Sequence, residues 1–190
     1  MRLFIASPLL AALYRRVIKK LGVGAGEHDF RFVAPYNLHV TLKFLGETPI
    51  EELPRITRVL ESAVAGHVPF DVMISGGVLL PPKRPTVLAL RIEPNNKLQH
   101  LFDSIDTALS EHHIAYREHR QFRPHATIAR TRRNSTVTPE QYATLLNNLK
   151  MHETVLLDTV ILYESILKPE GPDYNPLQTI YLSDKNDNAS

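Results

Sequence analysis

The chain contains no cysteine, which excludes a disulfide framework and any thiolate metal site and is neutral about compartment. Nor does any stretch approach the ~18 consecutive apolar residues of a membrane span. Charge of one sign is scarce too: 22 lysines and arginines against 20 aspartates and glutamates leave a formal net charge of +2, too small by itself to argue for a nucleic-acid partner. What is present is ordinary. With 190 residues, 43% hydrophobic and 22% charged, this is the composition of a soluble chain of one domain, able to bury roughly 70% of its unfolded surface. The basic start and apolar run of residues 1–13 look like an export signal. However, Pro8 interrupts the run, and Arg15-Arg16 and Lys19-Lys20 follow at once, so the segment reads as fold and a cytoplasmic protein is expected.

The informative stretch is Asn37-Leu38-His39-Val40-Thr41-Leu42-Lys43-Phe44-Leu45-Gly46. It has a partner 86 residues later, Arg123-Pro124-His125-Ala126-Thr127-Ile128-Ala129-Arg130. Both contain His-x-Thr-x with apolar x. In a strand, successive side chains alternate faces, so histidine and threonine share one face and the apolar residues the other. One such tetrapeptide is weak, because a lone histidine on a half-buried strand is usually structural. Two change the reading: paired acid/base groups beside paired hydroxyl donors are what in-line displacement at phosphorus needs, without a metal. Arg117, Arg120, Arg123, Arg130, Arg132 and Arg133 crowd around the second motif and would attract an anionic ligand. A solvated arginine-rich turn is the plainer alternative.

The remaining pattern alternates strands and helices. Strands are expected at 2–6, near 30–33, and at 38–45, 69–79, 86–92, 124–129, 153–166 and 176–182. Helices are expected at 8–21, capped by Ser7-Pro8 and carrying Leu10, Leu13, Tyr14, Val17, Ile18 and Leu21 on one stripe, and at 49–64, 95–113 and 139–149. Thr48 to Glu51 and Thr138 to Gln141 read as capping boxes. A glycine-rich turn (Gly22, Gly24, Gly26), a Pro/Gly loop at 168–173 and a polar, disordered tail at 183–190 complete the chain. Neighbouring strands with short turns among helices argue an α+β fold with antiparallel sheet.

The sequence resembles the 2H phosphoesterases, and within them the bacterial RNA 2',3'-cyclic phosphodiesterases, historically called 2'-5' RNA ligases. The likeness spans about residues 2–182. It includes Arg2-Leu3-Phe4-Ile5-Ala6, His39 to Glu47, and Leu162-Tyr163-Glu164-Ser165 followed by Gly171-Pro172, Tyr174, Pro176 and Leu177. It implies one bilobal domain over 1–182, with antiparallel sheets related by a pseudo-twofold, a central cleft between them and helices outside. It also implies RNA ends or nucleotides carrying 2',3'-cyclic phosphate, tRNA halves included, as partners, and a monomer with no cofactor and no metal.

From this resemblance His39 is the general acid to the leaving O3' and His125 the base to water. Unperturbed imidazoles titrate near ~6.5, so one can be neutral while the other is protonated. Thr41 and Thr127 would donate to the non-bridging oxygens. A phosphate between two imidazoles needs their facing nitrogens roughly 5–7 Å apart, twice a ~2.8 Å contact. Lys43 shares the face of His39 and Thr41 by parity and could add charge. Arg130 matches the arginine that follows the family's second motif, although its odd offset from His125 turns it away unless the strand bends by Ala129. The offset of Phe44 points it into the core, which is the expectation, while the family position would set it beside the base. The family often carries a Trp where this chain has Ala89, so base preference does not transfer. The other histidines read as surface residues without metal-ligand spacing. Two alternatives stay open: 2'-5' ligation on the same site, and a nucleotide-binding module without turnover.

Overall fold

The computed structural model describes residues 1–22, 29–168 and 171–183. In chain order these form β1 (Arg2–Pro8), α1 (Ala11–Leu21), β2 (Phe30–Phe32), β3 (His39–Glu47), α2 (Leu53–Val64), β4 (Phe70–Leu80), β5 (Val87–Ile92), α3 (Asn96–Glu111), β6 (His125–Thr131), α4 (Pro139–Asn148), β7 (Glu153–Leu157), β8 (Thr159–Lys168) and β9 (Gly171–Tyr181). The strands make one antiparallel sheet in the order β7-β4-β5-β6-β3-β1-β8-β9, with β2 added to β6.

The sheet is palindromic in its construction. The two motif strands β6 and β3 lie at its centre, joined by a single pair, Val40 opposite Ala126. Outward from this seam β5 answers β1, β4 answers β8 and β7 answers β9. The two lobes are therefore not the two halves of the chain, because β4 crosses to pair with β5 and β8 returns to pair with β1.

All the helices pack on one face. Leu13 and Val17 of α1, Ile56 and Leu60 of α2, and Leu101 and Ile105 of α3 are buried against Val40, Leu42, Ala126 and Ile128. Fully burying one such aliphatic chain contributes about 1.5–3 kcal/mol. The opposite face carries only a small aromatic cluster built on Phe4, Ala6 and Tyr163, and there the cleft opens.

Several local expectations are corrected. Ser7 does not cap α1. It lies within β1, fully buried, and its hydroxyl donates to the Thr159 carbonyl at 2.7 Å. The helix starts at Ala11, and Leu10 is 78% exposed, off the buried stripe. Thr48 does not form a capping box either: its hydroxyl donates to the Gly46 carbonyl at 3.2 Å, a 3-10 turn covers Ile50–Glu52 and α2 begins at Leu53. The box at Thr138 does form, with Gln141 N–H donating to Oγ1 at 3.3 Å and Thr138 N–H donating back to Oε1 at 2.8 Å.

The strand expected over 153–166 is two strands, because β7 pairs with β4 while β8 pairs with β1 and β9. Pairing of β8 with β9 continues to Lys168 opposite Gly171, which replaces most of the expected loop with hairpin. Gly22 takes φ +68 at the end of α1. Gly24, Gly26 and the tail from 184 lie outside the described residues.

Candidate active site

Val40 and Ala126 are both fully buried on the helix face, so the residues flanking each turn to the other side. Antiparallel register about this pair sets His39 across from Thr127 and Thr41 across from His125. The two imidazoles then lie on the diagonal, where same-face neighbours are about 7–8 Å apart, near enough for one phosphate to bridge them. All four residues line a single cleft of about 900 Å³.

Each histidine is held in the same way. Nδ1–H of His39 donates to the Asn37 carbonyl at 2.6 Å, and Nδ1–H of His125 donates to the Arg123 carbonyl at 2.8 Å. A carbonyl only accepts, so the proton is placed on Nδ1 and Nε2 is left for the cleft. Asn37 is itself buried and donates to the Pro172 carbonyl at 3.1 Å, tying the His39 support to the β8–β9 hairpin.

The surroundings of His39 are aromatic. Its ring lies 5.2 Å from Phe4, 5.3 Å from Tyr174 and 6.4 Å from Tyr163. Burial pushes its pKa from 6.5 down to about 4; the Asn37 carbonyl acts the other way, and the nearby His125 and Arg130 lower it further. His39 is therefore uncharged in the free protein at neutral pH. Tyr163 and Tyr174 are held above the usual phenol range by the same burial. Neither tyrosine nor Phe4 was given a role from the sequence, although alternation along β1, with Ile5 in the core, turns Phe4 toward the cleft.

Past each threonine, both motif strands carry a bulge. In β3, Ala6 pairs with Thr41 and Ile5 with Lys43, leaving Leu42 extra. In β6, Ala89 pairs with Thr127 and Leu88 with Ala129, leaving Ile128 extra. One inserted residue inverts the facing of everything beyond it. This corrects the parity expectations. Lys43 leaves the cleft for the core side, where it is 9% exposed, pairs with Asp106 and donates to the Tyr116 carbonyl at 2.7 Å. Phe44, expected in the core, is 67% exposed and lines the cleft. Arg130 also reaches the cleft, by the strand bend that its odd offset demanded.

Arg130 has company that sequence reasoning missed. Arg31 of β2 sits directly opposite it in register, and both line the cleft together with Arg2. Like charges facing each other across strands are destabilising, and a bound phosphate would reverse that effect. The only sequence signal was the predicted extended piece that carries Arg31. Ala89 is fully buried beside its cross-strand partner Thr127 and does not line the cleft, so the position where the family often has Trp here adds no wall to it. His67, half-buried, bonds with Ser104 at 3.2 Å beside His100, away from the cleft; His28 lies outside the described residues. Among the described residues no three His, Cys, Asp or Glu side chains form a metal-holding group, and no helix is long and apolar enough to cross a membrane.

The sequence model of the 2'-5' RNA ligase superfamily matches residues 8–166. An RNA 2',3'-cyclic phosphodiesterase of Methanothermobacter thermautotrophicus is 31% identical over 163 residues, covering 83% of this chain and 85% of that one. One of Thermotoga maritima is 30% identical over 185 residues, covering 93% of each. The crystal structure of TT0787 of Thermus thermophilus superposes with a TM-score of 0.81 at 25% identity, covering 97% of this chain and all of that one.

Proposed function

The chain belongs to the 2'-5' RNA ligase superfamily, and on that premise we infer that it is an RNA 2',3'-cyclic phosphodiesterase, a hydrolase that opens a terminal cyclic phosphate to a 2'-phosphomonoester. One observation carries the reading: two strands meeting at Val40 and Ala126 present two histidines and two threonines to one cleft, each histidine with Nδ1 satisfied and Nε2 available.

In this mechanism the cyclic phosphate lies between the imidazoles. His125 takes a proton from the attacking water and His39 gives one to the departing O3'. Since burial keeps His39 uncharged in the free protein, it has to take up a proton from water as the substrate binds, the substrate's negative charge offsetting the desolvation. Thr41 and Thr127 donate to the non-bridging oxygens, where charge grows in the transition state. Arg130 and Arg31 hold the anion, and Phe44 offers its ring to the base. Lys43 has no part in this, being committed to Asp106.

The reading treats residues 1–182 as one bilobal unit, because the crossing of β4 and β8 leaves neither half of the chain able to complete the cleft. It also takes the protein to be a cytoplasmic monomer that acts on RNA ends, tRNA halves among them. The same pair run backwards would join ends through a 2',5' linkage, but ring strain favours hydrolysis.

The test is purified protein in EDTA, offered each 2',3'-cyclic nucleotide, with the product resolved as 2'- or 3'-phosphate. Turnover to the 2'-phosphate is expected. Activity that needs an added divalent ion, or binding without turnover at any pH, would overturn the metal-free hydrolase reading.

A further inference from the structure

Beside the catalytic cleft lies a second hollow of about 1290 Å³, and the two share Thr41, Phe44 and His125 along their common edge. Its far wall is the connection from α3 to β6, residues 112–124. This connection is anchored from below, where Asp106 accepts from Lys43 and from the Glu118 amide, and Phe122 stacks on Phe102 at 4.2 Å. Above, it turns charge and aromatic surface outward. Tyr116 is 97% exposed, and Arg117, Arg120 and Arg123 are exposed along the groove. Glu118 engages Arg120 at 3.0 Å. Among the described residues no carboxylate pairs with Arg117 or Arg123, so the groove keeps a positive surplus. Hydrolysis of a cyclic mononucleotide uses none of these loop side chains.

We propose that this groove holds the RNA strand on the 5' side of the cyclic phosphate, so that the substrate is an RNA chain several nucleotides long rather than a free cyclic nucleotide. The inference rests on the phosphodiesterase reading. A 2',3'-cyclic phosphate can stand only at the 3' end of a strand, so the rest of the chain leaves the cleft in one direction, along a route that must be open and continuous with it. The groove is both. Arginines on an anchored loop meet backbone phosphates, while Tyr116 and Phe44 offer stacking faces that tolerate any base. Such a track selects for length over sequence.

The experiment measures kcat/KM of the full chain for 2',3'-cyclic AMP and for a mixed-sequence pentanucleotide ending in 2',3'-cyclic phosphate, at low and high salt. Fluorescence anisotropy of the pentanucleotide reads binding apart from turnover. The RNA should be preferred by tenfold or more, about the effect of one stacked base or one charge contact. In the Arg117→Ala variant that preference should fall several-fold, and the log–log salt slope for RNA should flatten by about 0.7, the share of one phosphate contact. Hydrolysis of cyclic AMP should match the unsubstituted protein. Tyr116→Ala should weaken RNA alone, by about fivefold or more.

Equal kcat/KM for the two substrates, or an Arg117→Ala variant that slows both alike or neither, would overturn the groove and leave the phosphodiesterase reading intact. Arginine-dependent RNA binding without turnover of either substrate would do the reverse. Neither turnover nor arginine-dependent binding would remove both.

Discussion

Phe44 and Arg130 occupy the same place in two different strands: each lies five residues past its motif histidine and three past its threonine, beyond a bulge at Leu42 or Ile128. Both therefore reach the cleft, one bringing an aromatic ring and the other a guanidinium. The pseudo-twofold thus duplicates the His-x-Thr motif and differs in what surrounds it, the asymmetry that the proposed nucleotide substrate would require. The positions one residue earlier, Lys43 and Ala129, are both buried.

Loss of either histidine should lower kcat by roughly 10²–10⁴, since each variant removes one proton transfer. The double variant His39→Ala/His125→Ala should be little worse than the single ones, because the two act as a unit. Thr41→Ala and Thr127→Ala should each lose about 2–3 kcal/mol of transition-state stabilisation. Steady-state kinetics on a 2',3'-cyclic nucleotide reads all of these, and full turnover in a histidine variant would end the paired acid/base assignment.

Arg130→Ala should cost about 1.5–3 kcal/mol in kcat/KM through loss of a charge-assisted contact to phosphate. Arg130→Lys should recover only part, because an ammonium cannot make the two-pronged contact. Full recovery by lysine would reduce Arg130 to a point charge.

Phe44→Ala should weaken nucleotide binding by about 1–3 kcal/mol while leaving thermal stability unchanged, since the ring is largely exposed and stacks on a base only in the complex. A drop in melting temperature without a change in KM would assign Phe44 to packing.

Lys43→Met leaves Asp106 buried without its cation and should destabilise the fold by about 3–5 kcal/mol, or roughly 10 °C in Tm for a chain of this size. Pairing it with Asp106→Leu should restore much of the loss, because both charges then leave the interior. Calorimetry on the single and double variants measures this, and a stable single variant would contradict the buried pair.

The His39 imidazole should titrate near pH 4 in the free protein, followed by NMR of its ring protons. Its native pKa is lowered relative to the unfolded chain, so its contribution to stability is present above the usual ~6.5 and is lost as pH falls from there through about 4. Saturation with a 2'-nucleotide should raise the native value, because the phosphate favours the imidazolium. If the value does not move, His39 cannot be the donor and the two histidines exchange roles.

Alternation along two short strands was enough to name His39, Thr41, His125 and Thr127 and to put each pair on one face, because a period of two is intrinsic to an extended backbone. Hydrophobic periodicity likewise located the helices and most of the strands, and the Thr138 box marked a real helix start. What the linear pattern could not contain was the outcome of competition between distant segments. Bulges form where a neighbouring strand cannot match residue for residue, so the facing of Lys43, Phe44 and Arg130 depended on β1 and β5. The loss of Lys43 to the core needed Asp106, 63 residues away. Ser7 reads as a cap locally, yet lies in a strand because the Thr159 carbonyl, 152 residues on, accepts its hydroxyl. The pairing of Arg31 with Arg130 and the aromatic ring around His39 are likewise tertiary, since they join segments whose approach is decided by burial of the whole sheet rather than by any local preference.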